Sequence, residues 1–173
     1  MKLFNKEKIL NVKWLIEPEI ETRQIQDGDD KIVIVDKTGK RTTLLQDKIK
    51  FPFISLKPCS LLLQTTTKDI QIDIEENYVF NGSDIPAGLE FLVGSKEDIR
   101  FLKGALPHDY VLEHKEKFKE AFGEELSTAE FRRLTSLMFR EVIKRTGTGT
   151  IKANIMAWCV DVFQMTLNRR AWC

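Results

Sequence analysis

The hydrophobic pattern of this chain changes its period near Pro86, and this change constrains the fold more than any other feature of the sequence. Before it, Ile70, Ile72 and Ile74 alternate with polar residues, which is the pattern of a half-buried strand. After it, apolar residues recur at steps of three and four, as on the buried face of a helix. The sequence therefore predicts an α+β fold, in which an N-terminal antiparallel sheet of about five strands is covered by three to four C-terminal helices.

The chain is predicted to form a single domain over residues 1–173. Its 42% content of hydrophobic residues is enough for a buried core, and no repeat, low-complexity tract or flexible linker divides it. The β-rich half alone would leave an apolar sheet face uncovered, so the helices are needed to cover it. The predicted parts are an N-terminal arm for which helix and strand are both possible (1–20), a β-rich half (21–86), a helical half (95–168) and a tail (169–173).

Two local patterns predict where elements begin and end. The run Lys37-Thr38-Gly39-Lys40 separates two β-rich segments and predicts a hairpin. The run Ser127-Thr128-Ala129-Glu130 fits a capping box, so a helix is expected to begin there and to end near Gly147.

The last helix is predicted to be central to the core, because its apolar residues cover a broad face. The TGTGT run before it (146–150) lacks the Gly-Lys-Ser/Thr ending of a phosphate-binding loop, and it is expected only to stop one helix and start the next. The apolar residues of this last helix are Ile151, Ile155, Trp158, Cys159, Val162 and Phe163.

The charge balance argues against a general nucleic-acid binder. Lys and Arg number 27 and Asp and Glu number 26, which leaves a formal charge of +1 and no overall field to attract phosphates. Local basic residues on the predicted hairpin and on one helix are interpreted as solvated charges.

The start of the chain lacks the long apolar run of a secretory signal, and no later stretch reaches the roughly 18 apolar residues of a spanning helix. The chain is therefore expected to be made in a reducing compartment and to have no transmembrane segment. Cys59, Cys159 and Cys173 lie far apart and form no CxxC pair, which predicts reduced thiols rather than a zinc site.

Any mechanism that uses an imidazole depends on His108 or His114, because the chain has only two histidines. Pro107 suits the first turn of a helix, which would place His108 near the helix start. One interpretation makes His108 a general base. The competing interpretation is structural, with His108 supporting the loop-to-helix junction through hydrogen bonds, and with His114 in solvent.

A histidine base needs a carboxylate that holds its second ring nitrogen. The carboxylates to consider are Asp84, Glu130 and Asp109. Because side chains of sequence neighbours rarely face each other on a helix, Asp109 is expected to be the weakest of these partners. Asp84 belongs to a run of turn-forming residues whose oxygens are suited to a turn or to a metal.

Three short motifs in this order resemble those of an uncharacterised protein family that is common in bacteriophage genomes. They are NGSDIP (81–86), HDY (108–110) and the helical run FRRLTSLMFREV (131–142). The family pattern reads Asp-Gly-x-Ser-x-Pro, then His-Asp-Tyr-x-Tyr, then Ala-Asp-x-x-Phe, and the similarity covers residues 68–145. The positions that match are Gly82, Pro86, His108, Asp109, Tyr110 and Phe139, and those that depart are Asn81, Asp84, Leu112 and Ser136.

The family pattern is itself similar to that of secreted phospholipases A2, in which a helix histidine activates a water and carboxylates hold that histidine and calcium. This resemblance implies a lipid or ester hydrolase ancestry, with calcium or another divalent metal as its cofactor. In this chain, however, Ser136 stands where the second-helix Asp of the family would fall, so the imidazole would lose the carboxylate that fixes its tautomer. The resemblance therefore implies a chain without catalysis, and no cofactor is expected.

The first functional hypothesis is a virion or tail structural or accessory protein of a phage or prophage-like element. It would be made in the bacterial cytoplasm and act as an interaction module in the virion. Its partners would be other phage structural proteins or copies of itself. Arg169, Arg170 and Trp172 are the expected contact residues, because termini can reach neighbouring subunits and Arg and Trp are favoured at interfaces.

The alternative hypothesis is a hydrolase of an ester, an amide or a cell-envelope bond. In it His108 acts as general base, and Asp84 or Asp109 positions His108 or a metal ion.

Overall fold

The computed structural model of the chain describes residues 9–22, 33–35, 41–43, 53–82, 98–122 and 127–166. Their order confirms an α+β protein with its helices in the C-terminal half. The strands are β1 (Ile9–Ile16), β2 (Ile20–Thr22), β3 (Val33–Val35), β4 (Arg41–Thr43), β5 (Phe53–Ser55), β6 (Cys59–Thr65), β7 (Asp69–Ile74) and β8 (Val79–Phe80). The helices are α1 (Ile99–Glu113), α2 (Lys115–Phe122), α3 (Thr128–Arg145) and α4 (Thr150–Thr166).

The described strands form two small antiparallel sheets of three strands each, with the orders β1-β6-β7 and β2-β5-β8, and a separate pair β3-β4. This arrangement differs from the predicted single sheet of about five strands. The two sheets separate between β5 and β6, where Pro58 has no N–H to extend a ladder. The consecutive strands β5 and β6 therefore lie in different sheets.

The pair β6-β7 confirms the alternating pattern of the sequence. Ile70, Ile72 and Ile74 are buried, and the residues between them are exposed. Leu63 and Leu61 lie opposite Ile70 and Ile72 in the register of the two strands. All five side chains belong to the hydrophobic core that the helices cover.

The N-terminal arm contains a strand within its described residues. β1 pairs with β6 from Ile9 to Ile16, and the register shifts twice along the pair. Such irregularities are common where a strand lies at the edge of a sheet, as β1 does. The predicted hairpin is also confirmed, because β3 and β4 pair in antiparallel fashion, while its turn at 37–40 lies outside the described residues.

Helix α1 corrects the expected position of Pro107. The helix begins at the N-cap Asp98, whose side chain accepts a hydrogen bond from the backbone N–H of Arg100, and Pro107 lies inside it. A proline inside a helix removes one backbone hydrogen bond, at a cost of about 3 kcal/mol. Burial of Leu106, Pro107 and His108 against the core offsets this cost. His108 therefore lies in the second half of the helix and not at its start.

Gly104 allows α1 to approach α3 closely. A Cβ atom at this position would lie 2.4 Å from Cγ2 of Ile143 and 2.9 Å from Cδ2 of Phe139. Helix α3 begins with the predicted capping box of Ser127 and Glu130, and it ends at Arg145, close to the predicted end.

Helix α4 is oriented differently from the prediction. Its buried face carries the smaller residues Ala153, Ala157 and Val160, together with Met156, Cys159 and Gln164. Small side chains let α4 pack closely against α3, and the larger apolar residues are left outside. Ile151 is 79% exposed and Trp158 is 63% exposed, so these two residues are not part of the core.

Cys59 and Cys159 are buried and form no disulfide, as expected for reduced thiols. Burial raises the pKa of the Cys59 thiol to about 11 and also raises the pKa of Cys159, so both thiols are protonated at neutral pH. Within the described ranges, no helix has the length and apolar character needed to cross a bilayer.

Candidate functional site

His108 lies on the inner face of α1 and is only 5% exposed. Its Nδ1 lies 3.0 Å from Oδ1 of Asp109, the next residue in the chain. The expectation that Asp109 would be the weakest partner is therefore wrong. Nδ1 is the ring nitrogen nearer the backbone, so a neighbouring carboxylate that turns inward can reach it.

Gln164 of α4 makes the second contact of the imidazole. Its Nε2 lies 2.6 Å from Nε2 of His108. An amide nitrogen can only donate, so the imidazole Nε2 accepts and its proton is on Nδ1, which donates to Asp109. We call His108, Asp109 and Gln164 the buried histidine cluster.

The Asp109 carboxylate also lies near the end of β8. Burial raises its pKa, and hydrogen bonds from His108 and from the backbone amides of Gly82 and Asn81 act in the opposite direction, with burial as the larger influence. The side chain remains 22% exposed. The motif residues 81–82 and 108–109 are therefore brought together, although 25 residues separate them in the sequence.

Gly82 can occupy this position because it lacks a side chain. Its φ angle is +82°, and a Cβ atom would lie 2.6 Å from Cε2 of Phe53. Only glycine adopts such a backbone conformation without strain and also tolerates the nearby ring. The match of Gly82 to the family motif has a local structural reason.

Helix α3 contributes Phe139 and Ser136. The rings of His108 and Phe139 meet edge to face with centroids 6.0 Å apart. Ser136 lies three residues earlier, hence on the same side of α3, and is buried. Its Oγ has no hydrogen-bond partner among the described residues. A serine here has not replaced the hydrogen bond that a carboxylate would supply.

Glu130 and His114, which were also considered for this site, do not join the cluster. Glu130 accepts hydrogen bonds from the backbone N–H and the Oγ of Ser127, so it serves the helix cap. His114 accompanies Tyr110: its Nδ1 lies 2.9 Å from the Tyr110 carbonyl oxygen, and the rings are 4.3 Å apart. It is half-buried, not fully solvated. Asp84, Arg169, Arg170 and Trp172 lie outside the described residues.

Sequence reasoning did not identify Gln164. A signal was present, because Gln164 follows Ala153, Ala157 and Val160 at steps of four, three and four, and so falls on the same helix face. A polar residue in such a row of apolar positions predicts a buried hydrogen bond.

The cluster is arranged for structure more than for proton transfer. The imidazole nitrogen that would face a substrate is occupied by the Gln164 amide, and the ring is buried. A cavity of about 200 Å³ between β1 and α3 has other walls, which include Trp14, Glu17, Val142 and Arg145. Among the described residues, no group of three or more His, Cys, Asp or Glu side chains is arranged to hold a metal ion.

The outer face of α4 carries an apolar row, and sequence reasoning assigned four of its five residues, Ile151, Ile155, Trp158 and Val162, to the core. Ile151, Ile155, Trp158, Val162 and Met165 follow one another at steps of four, three, four and three, and we call this row the α4 stripe. Met165 is 50% exposed, Ile155 is 36% exposed and Val162 is half-buried. Such spacing is that of the contact seam between two packed helices.

Comparison of the chain with models of known protein families, with curated proteins and with solved structures finds no match. The resemblance to the phage family therefore rests on the motifs alone.

Proposed function

We propose that this chain is a virion or tail structural or accessory protein of a phage or prophage-like element, and that it acts as an interaction module without catalysis. The observation that carries the proposal is the α4 stripe. Large exposed apolar residues arranged in one row are a feature of protein interaction sites. The three motifs shared with the phage-associated family support the biological setting.

The predicted contact residues of the tail follow the α4 stripe closely in the sequence. Counting on from Met165, the next steps of four and three reach Arg169 and Trp172, two of the three predicted contact residues. Arg and Trp are common among the residues that contribute most to binding. The proposal therefore treats the α4 stripe and residues 169–173 as one contact region.

Deletion of residues 169–173 is expected to reduce incorporation of the chain into particles at least tenfold, because it removes the Arg and Trp contacts while leaving the described core untouched. The measurement is quantitative mass spectrometry of particles purified from cells in which the truncated gene replaces the original. Circular dichroism and a thermal melt of the purified chain report whether it is folded. Normal incorporation of a folded, truncated chain would contradict this assignment of the contact region.

A hydrolase of an ester, an amide or a cell-envelope bond is the second candidate, because the His108–Asp109 contact at 3.0 Å is the pairing that a histidine base requires. In this candidate His108 is the base, Asp109 orients it, and Asp84 is the residue available to hold a calcium ion. Substrate access would require the Gln164 contact to open.

A screen of short-chain nitrophenyl esters and phospholipid vesicles, with and without calcium, separates the two candidates. For an interaction module, the wild type and His108→Ala should show the same background rate. A hydrolase predicts at least a hundredfold loss in His108→Ala and in the more conservative Asp109→Asn, with His114→Ala unchanged. Asp109→Asn keeps the side-chain volume, so it remains informative if His108→Ala does not fold.

A further inference from the structure

The α4 stripe has a composition that suits pairing with an identical surface. Its five positions carry no charged side chain, so two copies can face each other without burying a charge. The spacing of four and three residues keeps the row on one side of α4 over the whole helix. The opposite side of α4 is already packed against the core, so a partner can approach only from outside.

We infer that the partner of the α4 stripe is a second copy of this chain, whose α4 packs antiparallel against it around a two-fold axis. This inference rests on the proposed function, because it assigns a partner to the α4 stripe, the surface that the proposed function treats as a contact region. A two-fold pairing uses one patch twice and closes after two copies. The chain would then enter an assembly as a dimer.

The side chains favour one register of the two helices. In this register Trp158 of one copy lies beside Ile155 of the other, and Ile151 lies beside Val162. The two-fold axis repeats each of these two contacts, so the helices meet in four layers. Each layer combines two different residues, so the large indole packs against a smaller aliphatic side chain. A parallel arrangement would instead place Trp158 against Trp158 and crowd two indoles into one layer.

The flanking residues support the same register. Asn154 lies on the rim of the stripe and approaches Asp161 of the second copy, so an amide can donate to a carboxylate. Shifting the pairing by one heptad would place Asp161 against Asp161. The two carboxylates would repel each other, so the shifted register is disfavoured. Asp161 already accepts a hydrogen bond from Arg132 of its own chain at 2.9 Å, which fixes its position at the rim.

The area of the stripe predicts a weak dimer. With on the order of 100 Å² for each of four exposed side chains, the two copies bury about 800 Å² before rim residues are counted. A stable, specific interface usually buries more than about 1,000 Å², so a contact of this size belongs with weak, transient complexes. The expected dissociation constant is on the order of 10 µM.

Sedimentation equilibrium of the full chain at 1–200 µM tests the inference. The wild type is expected to move from the monomer mass of 20.1 kDa towards twice that value across this range. Trp158→Glu and Ile151→Glu should each raise the dissociation constant at least tenfold, since a charge would be buried between the helices. The matched control is Leu10→Glu, an equally exposed apolar residue on β1 (66% exposed), which should dimerise like the wild type.

The register is tested separately by Asn154→Lys and Asn154→Glu, measured at low salt. The introduced lysine would face Asp161 of the second copy and should tighten the dimer about threefold, whereas the introduced glutamate should weaken it by a similar factor. Equal dissociation constants for the two variants would overturn the antiparallel register. All of these positions are exposed, so circular dichroism and the unfolding midpoint should change little.

A wild-type chain that stays monomeric at 200 µM would overturn the inference, and so would a dimer that Leu10→Glu weakens as much as Trp158→Glu. A third result would also overturn it: the full chain stays monomeric and only a chain without residues 167–173 dimerises. In that case the chain's own tail, and not a second copy, occupies the α4 stripe of the full chain. The proposed function fails differently. A monomeric chain whose incorporation into particles still needs Trp158 overturns only the dimer, whereas a dimer whose stripe variants enter particles normally overturns the function.

Discussion

Replacing His108 by alanine is expected to lower the free energy of unfolding by about 3–4 kcal/mol. The change leaves a cavity where the imidazole packs against Phe139. It also removes the hydrogen-bond partner of the Gln164 amide and of the Asp109 carboxylate, both inside the fold. Urea denaturation monitored by circular dichroism measures the loss.

A double-mutant cycle separates the cavity from the hydrogen bonds. His108→Phe fills the space but leaves the Gln164 amide unpaired, so a loss of about 2 kcal/mol is expected. Gln164→Leu in the same chain removes that unpaired amide. The double variant should therefore lose at least 1 kcal/mol less free energy of unfolding than the two single variants lose in total. His114→Ala is the control and should cost less than about 1 kcal/mol, because its ring is half-buried. Equal losses for His108→Ala and His114→Ala would show that the cluster has no structural role.

The sequence predicted correctly those helices and strands whose signals lie in neighbouring residues. The alternation of Ile70, Ile72 and Ile74 identified β7, and the Ser127 cap identified the start of α3, because both signals act within a few residues. Pro107 misled the prediction of α1, since proline is favoured in the first turn of helices. Here the cap at Asp98 and the burial of the helix outweigh that preference.

Packing between distant parts of the chain determines which face of α4 is buried, and the sequence pattern did not predict it. The last helix has apolar residues on more than one side, and a sequence alone does not say which side faces inward. The alanines at 153 and 157 permit the closer approach to α3, so the larger Ile151 and Trp158 remain outside. The same packing brings Gln164 to His108 across 56 residues of sequence, and no local signal encodes that distance.

The polar groups of Ser136 and of the histidine pair differ in how well they are hydrogen-bonded. Ser136 is buried with an unpaired hydroxyl, whereas His108 and Asp109 keep their mutual contact. A buried imidazole without partners would cost more free energy than a buried hydroxyl, so the contacts of His108 with Asp109 and Gln164 stabilise the fold. The contact between His108 and Asp109 therefore has a structural explanation that needs no activity.

Gly104→Ala is expected to destabilise the fold by about 2–3 kcal/mol, although alanine is the better helix former by about 1 kcal/mol. The added methyl would lie 2.4 Å from Cγ2 of Ile143 and 2.9 Å from the Phe139 ring, so α1 and α3 must move apart. Gly149→Ala is the steric control, because nothing lies within 4 Å of a Cβ there, and its cost should stay near 1 kcal/mol, about the usual loss for alanine at a helix N-cap. Chemical denaturation of the two variants side by side measures the difference.

A second substitution identifies the contact responsible. Ile143→Leu removes the Cγ2 methyl, and in the Gly104→Ala background it should restore at least 1 kcal/mol of the loss, although alone it costs up to about 1.5 kcal/mol. Separation of α1 from α3 would also move His108 away from Phe139, because both pairs belong to one helix contact. If Gly104→Ala were as stable as Gly149→Ala, the close approach would not be needed to position the buried histidine cluster.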